Sequence, residues 1–200
     1  MPVILNKDEA VNLTKVAPGI DKINVYLDYR FRLTTDKPEA PAPELFFESI
    51  AINANERMRD VRDYGSIEHT SPSKDGNLIA RPLNPATLEL SLNNMGDIQE
   101  VHFFASVRQP VLDGKKVDIR MPQFEFISIV VVDQHNGEEV ARYSLKGAAA
   151  DAQAVSLLLA TLEKSQEGYW KFVAWGNASD LTIEHYLEKY CPQPGEQAAA

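Results

Sequence analysis

Between residues 23 and 33 apolar and polar side chains alternate. Ile23, Val25, Leu27, Tyr29, Phe31 and Leu33 are separated by Asn24, Tyr26, Asp28, Arg30 and Arg32. Successive side chains of a strand point to opposite faces, so this pattern predicts a strand with one buried and one wet face. Shorter stretches of the same kind predict strands at 45–52, 87–92, 101–107, 124–132, 140–145 and 169–175. Asp113-Gly114 and Asn136-Gly137 fall between apolar runs, and such dipeptides accept the positive φ that tight hairpin turns need. Many short strands joined by turns predict an all-β-dominated fold, an antiparallel β-sandwich with a few peripheral helices.

Two segments break the period of two. Val155, Leu158, Leu159 and Leu162 stand at i, i+3, i+4 and i+7. That spacing predicts a helix over 151–164 with Leu158 and Leu159 facing the sandwich and Gly168 near its stop. A second helix is predicted after Ser179-Asp180, carrying Leu181, Tyr186, Leu187 and Tyr190 and ended by Pro192 and Pro194. Pro38, Pro41 and Pro43 mark 34–43 as a loop, and Pro72, Asp75-Gly76, Pro82 and Pro85 mark 70–85 as another. No repeat or low-complexity block divides the chain. One domain over 1–191 is expected, with 192–200 a disordered tail.

Composition narrows the function classes. The 200 residues, 44% of them hydrophobic, suffice for a core without staples. A net charge of −9 repels nucleic acid and anionic lipid at long range, so nucleic acid is not expected as a partner. Lys7, Asp8 and Glu9 interrupt the N-terminus before an apolar leader could develop. The longest apolar stretch, near 127–132, falls far short of the roughly 20 residues of a membrane helix, so no transmembrane segment is expected. The single cysteine, Cys191, has no internal partner, which fits a reducing compartment. The expected location is the cytoplasm.

Candidate chemistry is sparse. His69, His102, His135 and His185 show no metal-ligand spacing, and no Gly-rich phosphate loop or nucleophile elbow is present. The chain is therefore not read as an enzyme, and no catalytic residue is named. The mixed run Glu56-Arg57-Met58-Arg59-Asp60-Val61-Arg62-Asp63 reads as salt-bridged surface, with partner docking as the sharper alternative.

Five segments resemble one family in order and rough spacing, from about residue 3 to residue 190. Val11-Asn12-Leu13-Thr14-Lys15 with Ala17-Pro18-Gly19 resembles the opening signature of TerD-family tellurite-resistance and stress proteins. Asn53-Ala54-Asn55, Ser66-Ile67-Glu68-His69-Thr70, Gly137-Glu138-Glu139-Val140-Ala141-Arg142-Tyr143, and Tyr169-Trp170-Lys171-Phe172 with Gly176 are similar to later family elements. The resemblance implies a β-sandwich with helices around it and bacterial stress-response neighbourhoods. It also implies work with other proteins of that stress system, in assemblies at the cytoplasmic side of the membrane, and calcium held by acidic loops.

The calcium ligands are where this chain departs from the family. Calcium wants six to eight hard oxygens, several of them carboxylates. The family's D-x-D-L-D pattern falls on Ala42, Pro43, Glu44, Leu45 and Phe46, keeping one acid of three. From Asn77 to Thr87 there is no carboxylate, Arg81 adds a positive charge, and an aspartate usual in the first long strand is replaced by Arg30. Asp36, Glu44 and Asp75 remain as candidate metal ligands. The residues therefore predict an interaction or scaffold module with no cofactor, against the alternative of a calcium-binding regulatory module with a rearranged site.

Overall fold

The structure is a computed structural model that describes residues 1–31, 44–53, 78–80, 87–108, 111–112, 114–147 and 150–181. In chain order the strands are β1 (Val3–Leu5), β2 (Ala10–Asn12), β3 (Lys22–Phe31), β4 (Glu44–Asn53), β5 (Leu78–Ala80), β6 (Thr87–Ser91) and β7 (Ile98–Arg108). There follow β8 (Val111–Leu112), β9 (Lys115–Lys116), β10 (Phe124–Asp133), β11 (Glu139–Leu145), β12 (Ser156–Lys164) and β13 (Trp170–Ser179). A one-turn helix, α1 (Leu13–Val16), separates β2 from β3. Among the described residues the strands form a six-stranded sheet in the order β1-β11-β10-β3-β6-β5, a five-stranded sheet in the order β2-β13-β12-β7-β4, and the small ribbon β8-β9. The pairings are antiparallel except β1 with β11.

One core lies between the two sheets. The six-stranded sheet contributes Ile23, Val25 and Leu27 from β3 and Ile127, Ile129 and Val131 from β10. The five-stranded sheet contributes Phe47, Val101, Phe103, Leu159, Leu162 and Phe172. Tyr29 and Phe31 are half-buried, and each meets Phe124 edge-on at 5.9 and 5.3 Å between ring centres. The alternation of residues 23–31 is thus observed, with Asp28 and Arg30 on the wet face; Leu33 lies outside the described residues.

The two sheets differ in their outer faces. The centre of that of the five-stranded sheet is buried: Ile50 and Phe104 are 0% exposed and Thr161 is 2% exposed, though none of them belongs to the inter-sheet core, while Glu100, Leu158 and Glu163 around them are part-exposed. A strand in such a sheet is buried on both sides. This corrects the helix expected over 151–164, because Ser156–Lys164 is the central strand β12, paired with both β13 and β7. Its sequence Ser156-Leu157-Leu158-Leu159-Ala160-Thr161-Leu162 is a nearly unbroken apolar run. A strand covered on both faces needs such a run, and over a few turns its spacing also satisfies a helical face. Leu159 does face the core, whereas Leu158 is half-buried and outside it; Gly168, expected to stop a helix, sits in the β12–β13 turn at φ +85°.

Short elements escaped the sequence reading. β5 lies inside the stretch 70–85 taken as a loop, and β1, β2, β8 and β9 span two or three residues each, too few to show a period. Both hairpin turns are in place, with Gly114 between β8 and β9 and Gly137 between β10 and β11, each at φ +73°. The second predicted helix from 182 onward, the loop at 34–43, the mixed-charge run at 56–63 and the tail at 192–200 lie outside the described residues.

One contact ties the sheets together. The Tyr143 ring is buried, and its hydroxyl abuts Gly176 of β13 so closely that a Cβ there would collide with it. Gly176 also holds φ +64°, a conformation that strains other residues. Gly176→Ala is expected to cost at least about 1–3 kcal/mol through overpacking. Among the described residues the Tyr143 hydroxyl has no hydrogen-bond partner, so Tyr143→Phe is expected to be near neutral and to recover part of that cost in the double variant, read by urea unfolding. In the same assay Leu159→Ala, at a fully buried site, is expected to cost about 2–5 kcal/mol and Leu158→Ala distinctly less.

Candidate functional site

Of the three candidate metal ligands, Asp36 and Asp75 lie outside the described residues. Glu44 opens β4, where its backbone register partner on β7 is Arg108. Arg30, at the position where an aspartate was expected, pairs with Glu125 at 3.7 Å and lies over the Phe126 ring at 5.7 Å. Among the described residues no three His, Cys, Asp or Glu side chains gather to hold a metal.

Two of the four histidines lie among the described residues. His102 lies on β7, with Nε2 2.7 Å from Glu100 Oε2. The His135 backbone N–H donates to Asp133 Oδ1 at 2.9 Å in the β10–β11 turn. His69 and His185 lie outside the described residues. Beside His102, Glu100 and Glu163 are register partners on β7 and β12, and Lys171 is the register partner of Glu163 on β13. Burial, and then the Glu100 charge, raise the Glu163 carboxyl above the ordinary range, while Lys171 opposes them.

The open face of the six-stranded sheet carries the more organised cluster. Glu139 and Arg142 are both on β11, and Asp28 is on the wet side of β3. Arg142 Nε and Nη2 donate to the two Glu139 carboxylate oxygens at 2.9 and 2.8 Å, and Nη1 donates to Asp28 at 3.2 Å. Bidentate geometry of this kind fixes the guanidinium plane. Beneath it Val130 is fully buried on β10, between register partners Arg142 and Tyr26. Tyr26 and Phe126 are part-exposed on the same face, Ser128 and Ser144 share a hydroxyl hydrogen bond at 2.7 Å, and Ile4 on the edge strand β1 is 62% exposed beside Arg142. The result is a pleated platform of Tyr, Phe and Arg side chains held by cross-strand pairs.

Sequence reading quoted Glu139 and Arg142 within a family segment but did not pair them with Asp28. The available signal was phase: Asp28 shares the wet side of its strand with Tyr26 and Arg30. Of the other resembling segments, 54–55 and 66–70 lie outside the described residues, and those described serve the architecture. Asn12 caps α1 by accepting from the Lys15 N–H at 3.1 Å, Val11 and Leu13 enter the core, and Gly19 takes φ +86°. Trp170 is buried and donates from Nε1 to the Leu92 carbonyl at 3.1 Å.

Comparison with known proteins agrees with this architecture. The family model for the TerD domain matches residues 1–190. The crystal structure of a homologue of a telluride resistance protein (TerD) from Streptomyces coelicolor superposes with a TM-score of 0.59 at 14% identity, covering 87% of this chain and 100% of that one. A solved protein of unknown function superposes with a TM-score of 0.60 at 12% identity, covering 88% of this chain and 99% of the other. At such identities the likeness is one of fold. No curated protein matches the chain.

The Glu163 carboxyl makes a testable contribution to stability. Its folded-state pKa lies above the ordinary carboxyl value, so between the two the native chain binds more protons than the unfolded one. Stability then falls as pH rises through that window. Glu163→Gln removes this slope, and its stability relative to the parent is expected to grow between pH 4 and pH 7 in thermal melts. A difference that is flat or reversed over that range contradicts the assignment.

Proposed function

Because the chain belongs to the TerD domain family, we propose that it works as a protein-interaction module of a tellurite-resistance and stress system, and not as a catalyst. The observation that carries the reading is the open face of the six-stranded sheet. Tyr and Arg are the residue types that concentrate binding energy at protein interfaces, and aromatic residues are enriched there. Here Tyr26, Phe126, Arg30 and Arg142 share one face, Glu139 and Asp28 hold the Arg142 guanidinium in place, and the exposed Arg30 lies 3.7 Å from Glu125. Preorganised side chains lose less entropy on docking. The partners in this reading are other proteins of the same stress system, meeting the chain in the cytoplasm, in a complex peripheral to the membrane. No helix among the described residues is long and apolar enough to cross a membrane.

The proposal includes function without tightly bound calcium. The family's acidic pattern keeps one acid of three, Glu44, and the stretch from Asn77 to Thr87 carries no carboxylate. A ligand at a hundredfold excess over its Kd would stabilise the native state by about 2.7 kcal/mol. Thermal melts at physiological ionic strength are therefore expected to coincide with chelator and with millimolar calcium. A rise of several degrees that Asp75→Asn abolishes would contradict this and favour the calcium-binding alternative.

The interaction surface is tested by cross-linking capture in the host cell with the parent chain and with Tyr26→Ser/Arg30→Ser. Both substitutions lie on the wet side of β3, and the variant is expected to melt within a few degrees of the parent. Loss of one central contact residue typically costs at least about 2 kcal/mol of binding, roughly thirtyfold in affinity. A sharp fall in captured partner is therefore expected. Equal capture by a variant that melts like the parent would overturn the assignment of this face.

A further inference from the structure

We draw no further inference here: the strongest candidate, the apolar outer face of the five-stranded sheet around Ile50, Phe104 and Val173, is buried, and nothing among the described residues shows what covers it.

Discussion

Burial of the five-stranded sheet on both faces is the constraint on which the rest of the structure depends. A sandwich needs only its inner faces to be apolar. In this chain Ile50, Phe104 and Val173 on the other side are also withdrawn from water, and even Glu48 is only 7% exposed, accepting a hydrogen bond from Ser106 at 2.9 Å. A carboxylate in such a setting is kept by its hydrogen bonds, since removing it from water without them would cost several kcal/mol. The central strand β12 takes its composition from this arrangement, and the sheet has little wet surface along its central strands.

Solvent-facing sheet surface therefore falls to the six-stranded sheet, where β3, β10 and β11 turn polar and aromatic side chains outward. Val130 at the floor of that face is fully buried, with Tyr26 and Arg142 as its register partners on either side. The guanidinium is held by Glu139 first and Asp28 second, so two carboxylates are occupied by an internal cation. At Arg30 the expected carboxylate is exchanged for a cation stacked on Phe126. At Arg142 carboxylates that could have served a divalent ion are taken up by a cation, through Glu139 on the same strand and Asp28 two strands away.

The half-wet strands were legible in the sequence because their chemistry changes at every step. β3 shows it along its length, while β10 ends in the apolar run Ile129–Val132 and β11 opens on Val140-Ala141, so these two show it only in part; glycines at the two hairpins locate their turns. The strand β12 was not legible, because burial on both faces erases the period that separates strand from helix. Strands of two or three residues such as β1, β2 and β5 carry no period at all. The family resemblance was legible for a related reason: Val11, Leu13, Tyr143, Trp170 and Gly176 are packing, capping and turn residues whose identity the fold dictates. Such residues report architecture. The face assigned to function was harder to read because its members, Tyr26, Asp28, Phe126 and Arg142, are distant in sequence and are brought together only by strand register.

The central claim is a division of labour: one sheet buried on both sides as scaffold, the other open on one side for recognition. Hydroxyl-radical footprinting with mass spectrometry tests it in a single measurement on the full chain, free and within its captured complex. The account predicts that Tyr26 and Phe126 oxidise readily in the free chain and become protected in the complex, while Phe104 stays protected in both. Oxidation of Phe104 in the free chain at the rate of Tyr26, or a complex that leaves Tyr26 and Phe126 as reactive as before, would contradict it.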